Sequence, residues 1–229
     1  MPSVLITGAN RGIGLAFVQA YAERGWSVIA AVRDLSKMPD VPGIKVIKIE
    51  VDSLTDAKLA IEALGLKELD LVIANAGVNI SEAPVKDLDL DDYDLTWKVN
   101  VRGPLILFQA VYPLLERAKE GKYLVISSDR GSIGQKHMAG EFAYGQSKAA
   151  VNFMISKLHY EHPDIVFLAI NPGWVSTPMG DATAAWQGIP KTTLQVSDTL
   201  PSVMKLIEAS KKDTTSGTFM HYDGTPLPW

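Results

Sequence analysis

An alternation constrains this chain most. Short runs rich in β-branched residues recur between stretches whose apolar residues follow a helical period. The runs place strands at about Ser3–Thr7, Ser27–Val32, Lys45–Val51, Asp70–Ala74, Lys122–Ser127 and Ile165–Ile170, with a last one near Thr218–His221. Helices are expected between them at about Gly12–Arg24, Thr55–Leu64, Leu90–Ala118, Ala143–Tyr160 and Ser197–Ala209. In the first, Ile13, Ala16, Phe17, Ala20 and Tyr21 form one stripe; in the late helix Val151, Met154, Ile155 and Leu158 do the same. Such alternation implies parallel βαβ units with helices on both faces of one sheet. No repeat, charge block or low-complexity linker divides the 229 residues, so one α/β domain over 1–229 is expected. Residues 177–199 hold Pro178, Gly180, Gly188 and Pro190 around Met179 and Trp186, and read as a flap over a pocket.

Composition removes several function classes. A net charge of −4 argues against a nucleic-acid partner, which needs a basic face. The longest apolar stretch, Leu105 to Leu115, contains Gln109 and Pro113 and is too short for a membrane span. Met1-Pro2-Ser3 leads into Val4-Leu5-Ile6 with no basic residue before it, unlike a secretory signal. With no cysteine there is no disulfide, thiolate catalysis or Cys-based zinc site, which is compatible with a cytoplasmic location. The four histidines form no H-E-x-x-H pattern, and no metal site is expected.

Gly8, Gly12 and Gly14 lie between an apolar strand and an amphipathic helix, with Asn10, Arg11 and Ile13 interleaved. Glycines let the turn approach a pyrophosphate closely, and the helix N-terminus offers unpaired N–H groups. The spacing G-x-x-x-G-x-G differs from the G-x-G-x-x-G fingerprint, and no G-K-[ST] follows. Val32-Arg33-Asp34 closes the second strand. A carboxylate there suits the ribose of NAD, whereas an arginine pairs with the 2′-phosphate of NADP. With Val32 as the last strand residue, Arg33 faces the ribose first and Arg11 adds charge, which favours NADP(H) while leaving NAD(H) open. Asp52-Ser53 and Asn75-Ala76-Gly77 end the third and fourth strands on the same crevice, where turn chemistry alone would also explain them.

Tyr144 and Lys148, spaced i and i+4, share one helix face. The motif is weak alone and gains weight from opening a late helix 16 residues after Ser128. Reduction of a carbonyl leaves an alkoxide, which a tyrosine hydroxyl protonates. A neighbouring ammonium is expected to lower the phenol, and a serine hydroxyl to hold the oxygen as charge develops. Asn100 sits four residues before Pro104, so its carbonyl lacks a helical N–H partner; a kink near Gly103-Pro104 and a bound water linking Lys148 to solvent are expected.

In this order the motifs resemble the short-chain dehydrogenase/reductase family, and the closing segment His221 to Trp229 with Gly173-Trp174-Val175 is similar to its sniffer-type carbonyl reductase and C-factor-like branch. The resemblance implies a Rossmann-type doubly wound sheet of seven parallel strands, order 3-2-1-4-5-6-7. It implies a tetrad of Asn100, Ser128, Tyr144 and Lys148, and cofactor contacts from Pro172, Gly173, Val175 and Thr177. Ser127 adjoins Ser128, so the choice of serine rests on family register. Ala74 stands where many members have asparagine, Pro178 stands where the branch often has an acid, and Gln135–Gly140 is inserted at the expected pocket rim. Met138, Phe142, Trp174, Met179 and Trp186 suggest an apolar substrate pocket, or ordinary packing. The expectation is an oxidoreductase acting reversibly on a small ketone or aldehyde. A cofactor-binding sensor with a vestigial tetrad, or a cofactor-assisted epimerase or dehydratase, are the alternatives. The family often pairs its long helices into homodimers or homotetramers.

Overall fold

A computed structural model describes residues 1–136, 139–190, 192 and 194–229. Seven strands form one parallel sheet in the order β3-β2-β1-β4-β5-β6-β7. They are β1 (Ser3–Thr7), β2 (Ser27–Val32), β3 (Lys45–Lys48), β4 (Leu71–Ala74), β5 (Lys122–Ile126), β6 (Val166–Asn171) and β7 (Thr218–His221). The helices are α1 (Gly12–Glu23), α2 (Asp56–Leu64), α3 (Leu90–Trp97), α4 (Gly103–Leu115), α5 (Phe142–Glu161), α6 (Pro178–Trp186) and α7 (Val196–Ala209). Period-two alternation sorts each strand between two cores. Leu5, Ile29, Val72, Val125 and Phe167 face one, with Ile61 of α2, Phe108 of α4 and Ile155 of α5. Val4, Ile6, Val28, Ile73, Leu124 and Leu168 face the other, with Phe17 and Tyr21 of α1 and Val203 and Ile207 of α7. Helices therefore cover both faces, as the alternation implies.

The chain passes from β3 at one edge to β4 on the far side of β1, and this reversal opens a crevice at the carboxyl ends of the strands. The edges are finished differently. β3 is short and carries Lys45 and Lys48 exposed. Along β7 the C-terminal tail turns back, with Thr225 O accepting from His221 N and Phe219 O accepting from Leu227 N, both at 2.8 Å.

Three elements differ from expectation. β3 ends at Lys48 rather than Val51, because the chain turns at residues 51–52 and Arg102 holds the Asp52 carbonyl at 2.8 Å. The expected long helix is three pieces: between α3 and α4, Lys98–Arg102 winds as a π-turn, and Gly103 N–H reaches back five residues to Lys98 O. The wider turn absorbs the missing N–H of Pro104, so the distortion precedes Gly103-Pro104 instead of falling on it. The flap contains a helix, α6, started by Thr177, whose hydroxyl accepts from Gly180 N at 3.0 Å, and by Pro178 in its first turn. Ser176 N donates to Leu194 O at 2.8 Å, closing the flap's base.

Candidate active site

The crevice is a cavity of about 670 Å³. Gly8, Asn10, Arg11, Gly12 and Ile13 line one end, Arg33 a second side, and Asn75, Ala76 and Gly77 its floor. Ser128, Tyr144 and Lys148 line it further along, with Pro172, Gly173, Trp174, Val175, Thr177 and Met179 opposite. Most residues singled out from the sequence thus meet at one cavity.

The glycine turn is built for close approach. Gly8 and Gly12 have φ of 63° and 54°, a left-handed backbone that glycine adopts without strain. Gly14 packs where a Cβ would lie 2.3 Å from Gly8 O and 2.5 Å from Asn75 Nδ2. Asn75 itself clamps the turn, its Nδ2 donating to Thr7 O at 2.9 Å and to Gly8 O at 3.3 Å. No side chain caps the N-terminus of α1, so its first N–H groups face the cavity without a competing internal acceptor. That combination fits a pyrophosphate.

At the end of β2 both candidate residues, Arg33 and Asp34, lie on the cavity, and their partners differ. Asp34 accepts from Ser36 N at 3.0 Å and Ser36 Oγ at 2.7 Å, and so caps the turn Leu35–Lys37. Those contacts hold its carboxyl below the usual range. Arg33 stays 79% exposed beside Glu50 at 4.0 Å, with Lys37 also on the cavity. Asp52 and Ser53 fall outside the lining: Asp52 turns its carbonyl to Arg102, and Ser53 donates to Asp56 at 2.7 Å as turn chemistry.

The two serines are told apart by their partners. Ser127 is buried and donates to Asn152 Oδ1 at 2.6 Å. Ser128 is half-buried, accepts from Arg130 N at 3.2 Å, donates to Asp129 Oδ1 at 3.1 Å and lines the cavity with Tyr144. Lys148 is 5% exposed; its Nζ donates to Ile126 O at 2.8 Å and lies 5.3 Å from the Tyr144 ring centroid. Burial pulls this ammonium down to about 8. The phenol of Tyr144 is not lowered as expected. Burial pushes it up, the Glu141 carboxylate adds to this, and the Ser128 hydroxyl opposes it.

Asn100 does not line the cavity; it braces it from behind. At 2% exposure it accepts from Val78 N at 2.8 Å and donates to Val78 O at 2.8 Å and Ser147 Oγ at 3.0 Å. Ser147 in turn donates to Tyr144 O at 2.7 Å. The amide thus ties the loop after β4 to the first turn of α5. Phe142 and Trp186 also lie outside the lining; Trp186 packs against Gly140 instead, where an added Cβ would meet its ring at 2.3 Å. Met138 lies outside the described residues. Asn79, Arg130, Glu141 and Thr183, which the sequence did not single out, are part of the wall. Among the described residues no group of three or more acidic or histidine side chains could hold a metal, and no helix is long and apolar enough to cross a membrane.

Comparison with known proteins agrees with this geometry. Residues 2–188 match the family model for short chain dehydrogenase. A norsolorinic acid ketoreductase of Aspergillus parasiticus is 35% identical, over 98% of this chain and 90% of that protein. Among solved structures, the NADPH-bound carbonyl reductase from chicken fatty liver superposes with a TM-score of 0.87 at 28% identity, covering 100% of this chain and 99% of that one. The carbonyl reductase Sniffer of D. melanogaster gives a TM-score of 0.87 at 26% identity, with full coverage of both chains. From the glycine turn to the Tyr144–Lys148 face, the chain belongs to the short-chain dehydrogenase family.

Proposed function

We propose that this oxidoreductase reduces a ketone or aldehyde to the alcohol, reversibly, with NADP(H) preferred over NAD(H). The observation that carries the reading is the convergence of Ser128, Tyr144 and Lys148 on the cavity that the glycine turn opens. When bound, the reduced nicotinamide supplies a hydride to the carbonyl carbon. The chain's residues do the rest. The Ser128 hydroxyl donates to the carbonyl oxygen and fixes it beside the phenol. Tyr144 gives its proton to that oxygen as charge develops, and its raised proton affinity keeps it in the donating form at neutral pH. The Lys148 ammonium, held at Ile126 O, is placed to bind a ribose hydroxyl and to favour the phenolate left after proton transfer. Asn100 fixes the spacing of the loop after β4 and α5, and its carbonyl holds the water that returns a proton. Thr177 and the first turns of α6, with Met179 on the cavity, cover the substrate side.

The NADP(H) preference is supported by the two cations Arg33 and Lys37 on the cavity wall; Asp34 lies there too, but its carboxylate already accepts from Ser36. The NADPH-bound chicken enzyme supports it. The decisive experiment is Tyr144→Phe. Cofactor affinity, followed by NADPH fluorescence, is expected to stay within a few-fold, while turnover of carbonyls falls by about a thousand-fold or more. Deuteride from labelled NADPH should appear on the product's carbinol carbon in the unmodified enzyme. Undiminished turnover in Tyr144→Phe, or a product without the label, overturns the proposal.

A further inference from the structure

Two glycines let the turn that follows Ser128 sit directly on the backbone of α5. Gly131 closes the turn Asp129–Gly131, and a Cβ added there would lie 2.6 Å from Lys148 C and 2.7 Å from Ala149 N. Gly145, beside Tyr144, returns the contact: its added Cβ would lie 2.9 Å from Arg130 O. Neither glycine has a positive φ, so close approach is what both positions require. The turn therefore rests on α5 at the level of the Tyr144–Lys148 pair. Such contact sets the separation of two backbones but has little directional preference.

Direction comes from a buried side-chain pair. Ser127 Oγ donates to Asn152 Oδ1 at 2.6 Å, and Asn152 Nδ2 donates to Gly131 O at a longer 3.4 Å. Both side chains are 2% exposed. Asn152 lies one turn beyond Lys148 and two beyond Tyr144 on α5. The asparagine thus bonds the chain on either side of Ser128, at the residue before it and at Gly131 after it. Ser127 N donates to Ile170 O at 2.7 Å, which holds this strand end in the sheet. A buried hydroxyl–amide pair gains little stability over apolar residues of the same shape, because its hydrogen bond replaces bonds to water. What an apolar pair does not supply is a fixed direction.

Resting on the carbonyl-reductase reading above, we propose that Asn152 and Ser127 are positioning residues for that reaction, their buried hydrogen bond setting where the Ser128 hydroxyl stands relative to Tyr144. Ser128 must reach the carbonyl oxygen and Tyr144 must protonate the same atom. A slip of the turn along α5 by about 1 Å separates the two contacts and lowers turnover by up to about a hundred-fold. The cofactor cradle is built on the glycine turn after β1 and on Asn75, and does not depend on this bond.

The test is NADPH-dependent reduction of p-nitrobenzaldehyde by the parent enzyme, Ser127→Ala, Asn152→Leu and the double variant. The double variant removes both polar partners together, so its Tm should stay within a few degrees of the parent. Its kcat should fall by about ten- to a hundred-fold, while NADPH affinity, read by fluorescence titration, stays within about two-fold. It should also lose no more turnover than the worse single variant, since each single already breaks the bond. Ser127→Ala, the smaller change, carries the same kcat and affinity expectation should the double variant not fold. A kcat within about two-fold of the parent overturns the proposal. So does a fall in kcat matched by an equal loss of NADPH affinity, or single effects that multiply in the double variant; either marks the pair as core filling only. If the parent enzyme does not reduce carbonyls with NADPH, or Tyr144→Phe keeps its turnover, the reductase reading itself fails. Turnover lost in Tyr144→Phe but kept in the double variant rejects the positioning role alone.

Discussion

Replacing Lys148 by methionine should make the protein more stable while ending catalysis. The ammonium is 5% exposed and has one hydrogen bond, to Ile126 O at 2.8 Å. Burial lowers it from 10.5 to about 8, and that difference corresponds to about 3 kcal/mol of folding free energy lost while the group is charged. The unfolded chain binds this proton more tightly than the folded one. The penalty is therefore complete below about pH 8, fades as pH rises from there, and is gone above the range of an unfolded lysine. Methionine matches the stem in length but leaves the Ile126 carbonyl without its donor, a loss of about 1 kcal/mol. The net gain at pH 7 is about 2 kcal/mol, or roughly 4–8 °C in Tm for a chain of this size. Melting of the cofactor-free proteins by circular dichroism at neutral pH and near pH 10 reads both the gain and its decline. A variant that melts at or below the parent at pH 7, or a difference that persists undiminished near pH 10, refutes the reasoning. The same substitution should remove measurable turnover, because stability and catalysis make opposite demands on this site.

Arg33→Ala should raise KM for NADPH by about ten- to a hundred-fold and leave KM for NADH nearly unchanged, read by steady-state kinetics with each cofactor. Gly14→Ala places a methyl 2.3 Å from Gly8 O and should push the glycine turn away from Asn75, weakening NADPH binding and stability by about 1–3 kcal/mol. Fluorescence titration and denaturant midpoints measure the two losses. Asn100→Ala removes three hydrogen bonds from a buried amide and should destabilise by about 2–3 kcal/mol. Its kcat should fall across the whole pH range, and a turnover unchanged at every pH would discredit the proton relay.

The sheet was legible because buried parallel strands read as apolar runs and each strand divides its side chains between two cores. The glycine turn was legible for a steric reason, since the spacing of Gly8, Gly12 and Gly14 matches the positions where a side chain would collide or strain. Tyr144 and Lys148 needed only helix periodicity. What stayed hidden depends on contacts distant in sequence. Pro104 announced a distortion, but its form as a π-turn at Lys98–Arg102 is settled by packing around it. The direction of the Tyr144 phenol reversed because burial, and after it Glu141, outweigh the lowering influence of Ser128 and Arg130. Glu141 itself looked like an ordinary residue ahead of a helix, since its inward carboxylate exists only through a left-handed backbone and Arg130. α6 did carry a signal, Thr177-Pro178 as cap and first turn, which the surrounding glycines and Pro190 obscured.

The unequal finishing of the sheet's margins bears on how copies of this chain can meet. Lysines fence the short β3, and the tail already occupies the hydrogen-bonding groups along β7, so neither side offers a free template for another strand. Both devices work against continuing the sheet from one molecule to the next. The apolar side chains of Leu95, Leu105, Phe153 and Tyr160, exposed to water, lie instead on helices.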